Sequence, residues 1–144
     1  MTSATQLSVN LTLASGNYFV RIENPDGNAG RSTNNIITAS TAPTFTTNAG
    51  SLGSFAGNFS GTLFTIQGSS DSAVSFSEVT SVLSGANVTL SSAGVLATTD
   101  FGGASTTPTT YNFTIRITDA EGQTADRAFS LTSTFGATGG GQFN

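Results

Sequence analysis

Apolar residues recur at every second position in several short segments, and this alternation restricts the chain to a fold built from β-strands. The clearest examples are Leu7, Val9, Leu11 and Leu13, and further along Tyr111, Phe113, Ile115 and Ile117. A period of two places alternate side chains on opposite faces of a sheet, so one face of each segment is apolar. Clusters of Gly, Asn, Asp and Pro separate these segments, notably at 24–27 and 119–122, and such clusters form turns.

The alternation predicts an all-β chain whose main element is an immunoglobulin-like Greek-key β-sandwich. Short strands separated by turns are typical of that fold, and no strand-helix-strand rhythm indicates a parallel sheet. No segment has the apolar stripe of an amphipathic helix. We predict ten strands, at residues 5–13, 17–23, 29–38, 43–47, 59–67, 73–79, 87–90, 94–98, 109–118 and 124–133.

The chain contains an internal repeat. Residues 21–29 (RIENPDGNA) align with residues 116–124 (RITDAEGQT), 95 positions later, and this offset is about the length of one immunoglobulin-like domain. Each copy is typical of the last hairpin of a sandwich. We therefore predict an N-terminal β-hairpin segment at 1–40, which is an incomplete immunoglobulin-like unit and a candidate assembly arm, a complete sandwich at 41–134, and a Gly-rich tail at 135–144. Alternatively, residues 1–40 add strands to the single sandwich.

Two segments, NVTLSSAGVL at 87–96 and YNFTIRITDAEGQTA at 111–125, resemble the Ig-like and cadherin-like repeats of bacterial surface and phage proteins. The resemblance covers residues 41–134 and implies the sandwich fold, which such proteins use as spacer, adhesin or virion decoration. The segment SGNYFVRIENPDGNAGRS at 15–32 is similar to the end of a TIG-type Ig-like domain. The Gly-Thr-Pro element usual before the closing hairpin is only weakly matched at 102–108.

The residue inventory argues against enzymatic, nucleic-acid-binding and membrane-inserted roles. The chain has no His, Cys, Lys or Trp, and its four basic residues are all Arg. A Ser or Thr nucleophile therefore lacks its usual base, and zinc lacks imidazole and thiolate ligands. A net charge of −4 does not suit binding to nucleic-acid phosphates. No run approaches the roughly 20 apolar residues of a membrane-spanning helix. We expect no enzyme activity, no cofactor, no nucleic-acid partner and no membrane insertion.

Carboxylates are the metal ligands that remain. Asp119, Glu121 and Asp126 flank the second turn of the repeat, and oxygen ligands suit Ca²⁺. These three residues are a candidate Ca²⁺ site, with solvated turn carboxylates as the alternative. The Asp-x-Asp and Asp-x-Asn-Asp-Asn ligand strings of cadherins are absent. We also expect Arg116 to pair with Glu78 or Asp126 on the sheet surface.

The N-terminal segment needs a partner, because short β-ribbons are marginally stable in water. We therefore predict that apolar residues of this segment lie in an interface. Two Phe residues beside Gly and small residues are further candidates, with packing beneath a loop as the alternative, and so is one Phe in the tail, with an unpaired terminal residue as the alternative. These interface candidates are Leu7, Val9, Leu11, Leu13, Phe55, Phe101 and Phe143.

Two non-catalytic roles are compatible with these features. The first is a virion structural protein, such as a phage head-decoration, fibre or tail-associated subunit that forms a homo-oligomer or larger assembly. The absence of a secretion signal in the first ten residues favours this hypothesis. The second is a subunit or fragment of a bacterial extracellular filament or adhesin, with a spacer role or a surface glycan as partner. A free carbohydrate-binding module ranks below both because the chain has no Trp.

Overall fold

A computed structural model describes residues 9–103 and 107–134, which fall into two compact units. Unit 1 comprises Met1–Thr41 and unit 2 comprises Ala42–Asn144. The described part of unit 1 has the strands β1 (Gly16–Tyr18), β2 (Arg21–Glu23), β3 (Ala29–Arg31) and β4 (Ile37–Ala39). The described part of unit 2 has a 3₁₀ helix at Leu83–Ala86 and the strands β5 (Thr44–Phe45), β6 (Gly50–Ala56), β7 (Gly61–Thr65), β8 (Gly68–Ser69), β9 (Val74–Glu78), β10 (Val88–Leu90), β11 (Val95–Thr98), β12 (Thr109–Asp119) and β13 (Thr124–Thr134).

Unit 2 is a β-sandwich. One sheet has four strands in the order β6-β13-β12-β9, and the other has three strands in the order β10-β11-β7. Strand β6 runs parallel to β13, and the remaining pairs in both sheets are antiparallel. The short strands β5 and β8 form a separate pair. Two facing sheets of four and three strands are the immunoglobulin-like arrangement, so the prediction of an all-β sandwich is confirmed.

The alternation in the sequence builds the core between the two sheets. Phe113, Ile115 and Ile117 on β12 are buried, and so are Phe129 and Leu131 on β13. Residues between them face the other side of the sheet, as the period of two requires. Burial of each such side chain contributes about 1.5–3 kcal/mol to folding. Every fully buried residue of the described chain belongs to unit 2.

The N-terminal strands differ most from the prediction. The ranges 17–23 and 29–38 are each predicted as one strand, but the structure has β1 and β2 in the first range and β3 and β4 in the second, because the polar, turn-forming residues at 32–35 interrupt the second range. Residues 9–13 are not in a strand, so the prediction of a strand at 5–13 is wrong there, and residues 5–8 lie outside the described residues. Val9 and Leu11 remain 60% and 65% exposed, because no strand among the described residues pairs with this segment. Conversely, strand β6 was not predicted. Its sequence, GSLGSFA, is rich in Gly and Ser, and it is a strand because it pairs in parallel with β13.

The two copies of the repeat form hairpins with the same turn geometry. In unit 1 the N–H of Asn24 donates to Asn28 O at 2.7 Å, and the N–H of Gly27 donates to Asn24 O at 2.9 Å. In unit 2 the corresponding bonds join Asp119 to the Gln123 carbonyl at 3.0 Å and Gly122 to the Asp119 carbonyl at 3.2 Å. Gly27 and Gly122 have φ values of 87° and 86°, which only Gly adopts without strain. The repeated sequence therefore encodes one turn twice.

Candidate functional site

Three carboxylates meet at the end of unit 2 where β12 turns into β13. Asp119 is the last residue of β12, Glu121 lies in the turn, and Asp71 comes from the loop between β8 and β9. One carboxylate oxygen from each residue lies within 4.8 Å of the other two. We call these three residues the acidic cluster. It contains two of the three residues that the sequence suggested as Ca²⁺ ligands.

Asp119 is the buried member of the acidic cluster, with an exposed fraction of only 5%. Its Oδ1 accepts a hydrogen bond from the N–H of Gln123 at 2.7 Å, which fixes the carboxylate across the turn. Its Oδ2 is also buried and has no hydrogen-bond partner. A buried polar atom without a partner carries a desolvation cost of about 1–3 kcal/mol, and more when the group is charged. Asp119 thus has an acceptor oxygen that the described residues leave unsatisfied.

Ser72 connects the two loops that supply the acidic cluster. Its hydroxyl donates to Glu121 Oε2 and accepts a hydrogen bond from the N–H of Ala120 at 3.1 Å. The adjacent Ser70 donates to Asp71 Oδ1 at 3.1 Å. The two hydrogen bonds of Ser72 join residues about 50 positions apart in the sequence, so the acidic cluster is a product of the fold rather than of one loop.

Asp126 does not belong to the acidic cluster, which corrects the ligand set suggested from the sequence. It lies directly opposite Arg116 in the β12–β13 register, and it accepts hydrogen bonds from Arg116 Nε at 2.7 Å and Nη2 at 2.8 Å. These hydrogen bonds lower the pKa of Asp126 and raise the pKa of Arg116. The expected surface pair of Arg116 is therefore confirmed with Asp126, and this carboxylate is neutralised by a guanidinium.

A second candidate site is the surface that we call the apolar face of unit 1, which consists of Val9, Leu11, Phe19, Ile22 and Ile36. All five side chains are exposed, and none of residues 9–41 is fully buried. A groove of about 510 Å³ lies along part of this face, and Leu13, which is half-buried, and Tyr18 also line it. The guanidinium of Arg31 stacks over the ring of Phe19, 3.9 Å from its centroid. Val9 and Leu11 were interface candidates from the sequence, whereas the exposed Phe19, Ile22 and Ile36 were not.

The other interface candidates have different positions. Phe101 is completely buried, so the expectation that it is a surface contact is wrong. Its backbone pairs with residues 58 and 59, and its ring packs against Phe55 and Tyr111. Phe55 is half-buried against Phe59 and Phe101. Leu7 and Phe143 lie outside the described residues. Within residues 9–103 and 107–134, no helix is long and apolar enough to cross a membrane.

Comparison with known proteins finds solved structures with a similar fold, but it finds no match by sequence. No family model and no curated protein matches the chain. A solved structure titled "PcdhgB3 EC1-4 in 50 mM HEPES" superimposes with a TM-score of 0.52 and 13% identity over 81% of this chain. Extracellular cadherin domains 1–4 of protocadherin gamma B7 superimpose with a TM-score of 0.48 and 8% identity over 86% of this chain. The chain spans 38% and 40% of the lengths of these two proteins. At such low identity the first match shows the fold alone, an immunoglobulin-like β-sandwich of the cadherin type.

Proposed function

We propose that this chain is a non-catalytic structural protein that assembles with further copies of itself, as a phage head-decoration, fibre or tail-associated subunit of a virion. Unit 2 supplies a stable sandwich, and unit 1 supplies the contact surface. The chain has no His, Cys or Lys with which to activate a hydroxyl nucleophile, and this supports a role in assembly rather than in catalysis.

The exposure of the apolar face of unit 1 is the observation that carries this proposal. Burial of a large aliphatic or aromatic side chain is worth about 1.5–3 kcal/mol. Val9, Leu11, Ile22 and Ile36 each expose more than half of their accessible surface. Covering this face with another protein surface therefore releases on the order of 5 kcal/mol. Exposed apolar surface of this extent often marks protein–protein contacts in soluble proteins.

The strands of unit 1 provide a second reason for a partner. They form two separate antiparallel pairs, β1 with β4 and β2 with β3, and each strand has three residues. A two-stranded pair of this length is marginally stable in water, and its unpaired edges offer main-chain N–H and C=O groups to another strand. We infer that an extended segment of a neighbouring copy adds to one of these edges and covers the apolar face, as in strand addition.

A subunit of a bacterial surface filament or adhesin is the second candidate. The likeness in fold to a cadherin structure favours it, because immunoglobulin-like sandwiches of this kind serve as spacers and adhesins. Both candidates use the same contact surface. In the second one the neighbouring copy belongs to a filament outside the cell, and a surface glycan is a further partner.

The experiment that tests the proposal is the mass of the purified full chain by light scattering across a range of concentrations. We expect an oligomer or polymer for the wild-type chain and a monomer for the Ile22→Glu and Ile36→Glu variants, because a buried carboxylate opposes association. Val79→Glu is the matched control, since Val79 is 46% exposed but lies in unit 2. It should assemble like the wild type.

A shortened chain that begins at Ala42 tests independently whether assembly requires unit 1. Unit 2 contains every fully buried residue of the described chain, so this chain should fold, and we expect it to be a monomer. A monomeric wild-type chain at high concentration contradicts the proposal. Assembly that persists in the shortened chain contradicts the assignment of the contact to unit 1.

A further inference from the structure

The acidic cluster has the dimensions of a single cation site. Ca²⁺ binds six to eight oxygen atoms at about 2.3–2.6 Å, so two ligands on opposite sides of one ion are about 4.8 Å apart. The oxygens contributed by Asp71, Asp119 and Glu121 all lie within 4.8 Å of one another. These three oxygens therefore fit into one coordination sphere without a change in the backbone.

The unsatisfied oxygen of Asp119 is a separate observation that points to a ligand. Exposed carboxylates often cluster without binding anything, because water solvates them. Asp119 is different, since it is 5% exposed and its Oδ2 has no hydrogen-bond partner. Buried charged groups in proteins are normally paired or bound to a metal. A cation in the acidic cluster would supply the missing partner.

The basic side chains of unit 2 bind groups outside the acidic cluster. The chain has no Lys or His, and the Arg residues of unit 2 are Arg116 and Arg127. Arg116 is bound to Asp126. Arg127 Nη1 donates to the carbonyl oxygens of Phe45 at 3.3 Å and Thr47 at 2.6 Å. Both guanidinium groups thus have hydrogen-bond partners outside the cluster.

We propose that Asp71, Asp119 and Glu121 bind one Ca²⁺ ion, with Ser72 holding Glu121 in place. The donor set consists of oxygen alone, which excludes the usual zinc and copper environments and suits a hard cation. Ca²⁺ is favoured over Mg²⁺ because three carboxylates from a loop, a strand end and a turn form an irregular site, whereas Mg²⁺ requires near-ideal octahedral geometry. Two of the carboxylates are exposed. We therefore expect a dissociation constant for Ca²⁺ of about 10⁻⁴–10⁻³ M, which is typical of extracellular modules.

This proposal involves unit 2 alone and does not depend on the assembly of unit 1. The ion would join the loop before the edge strand β9 to the turn between the inner strands β12 and β13, at one end of the four-stranded sheet. At a Ca²⁺ concentration ten times the dissociation constant, preferential binding to the folded state should raise the melting temperature by about 5 °C.

The test is a titration of the ¹⁵N-labelled full chain, first freed of metal with EDTA, with CaCl₂ up to 10 mM, followed by NMR. We expect saturable amide shifts confined to residues 70–73 and 119–123, together with the rise in melting temperature measured by circular dichroism. The related turn at 24–28 serves as an internal control and should not shift. Mg²⁺ at the same concentration should give a smaller response.

Variants separate a specific site from general screening of negative charge. Asp71→Asn lies in an exposed loop, and Asp119→Asn keeps the oxygen that accepts the Gln123 N–H, so both should fold, as circular dichroism will show. We expect both to lose at least tenfold in Ca²⁺ affinity, whereas the matched control Asp126→Asn should bind as the wild type does. The proposal is overturned if the wild type shows no localised shifts, if Mg²⁺ gives an equal response, or if all three variants bind Ca²⁺ equally well.

Discussion

Replacing Gly94 with Ala should destabilise unit 2 much more than the same replacement at Gly122. The two glycines have φ values of 85° and 86°, so each substitution carries the same cost of about 1–2 kcal/mol for a left-handed L-residue. Their surroundings differ. A Cβ at Gly94 would lie 2.3 Å from the carbonyl oxygen of Ile66 and 3.1 Å from the ring of Phe76, whereas a Cβ at Gly122 would meet nothing within 4 Å.

The overlap at Gly94 also breaks a hydrogen bond. The N–H of Ile66 donates to Gly94 O at 2.9 Å, and Ile66 is almost completely buried. Moving residue 94 away from Ile66 leaves this buried N–H without its acceptor, at a cost of about 1–3 kcal/mol. We therefore expect a loss of about 1–2 kcal/mol for Gly122→Ala and about 3 kcal/mol or more for Gly94→Ala.

Urea denaturation followed by far-UV circular dichroism measures both losses on the same scale. A loss of 3 kcal/mol is a large share of the roughly 5–15 kcal/mol that stabilises a typical domain, so the two midpoints should separate clearly. Equal losses for the two variants would refute the claim that the close approach of Gly94 to Ile66 is what requires glycine there.

Two further predictions concern single carboxylates of unit 2. Glu78 Oε1 accepts hydrogen bonds from the N–H groups of Val82 and Leu83, so Glu78→Ala should cost about 2 kcal/mol in urea denaturation, and Glu78→Gln, which keeps one oxygen, should cost less. The pKa of Asp126 is lowered by its hydrogen bonds from Arg116, so the pair stabilises the fold above the usual Asp pKa, and this contribution disappears as the pH falls through the lower folded-state pKa. In an NMR titration, Arg116→Gln should return the pKa of Asp126 towards about 3.9, and an unchanged midpoint would contradict this assignment.

The features that the sequence predicts well are those with a local cause. The alternation at Phe113, Ile115 and Ile117 predicts which face of β12 is buried, because the period of a strand is independent of its partner. The repeat at 21–29 and 116–124 likewise predicts two related turns, since each requires glycine at one position with a positive φ. In both cases the residues that determine the structure lie within a few positions of one another in the sequence.

The features that the sequence does not predict depend on partners far along the chain. Strand β6 has a Gly-rich sequence and forms only because β13, more than 70 positions away, provides hydrogen bonds. Phe101 has small and polar neighbours in the sequence, but it is buried because its loop pairs with residues 58 and 59. Asp71 lies 48 positions before Asp119, and no local motif connects them. One signal could have located it. Asp71 precedes β9, and β9 pairs antiparallel with β12, so the start of β9 lies beside the β12–β13 turn.

The two related turns explain why the fold brings a candidate cation site to unit 2 and not to unit 1. Position 24 carries Asn where position 119 carries Asp, so the unit 1 turn has a neutral side chain where unit 2 has a buried carboxylate. In unit 1 the carboxylate of Asp26 accepts hydrogen bonds from the N–H and Nδ2 of Asn28, both at 3.1 Å, and is satisfied within the turn. In unit 2 the Oδ2 of Asp119 has no such donor, and Asp71 adds a third carboxylate from another loop. The two turns share one backbone geometry. In unit 1 the hydrogen bonds within the turn satisfy the carboxylate, whereas in unit 2 a buried carboxylate oxygen remains available to a ligand. The difference therefore arises from the side chains rather than from the backbone of the turn.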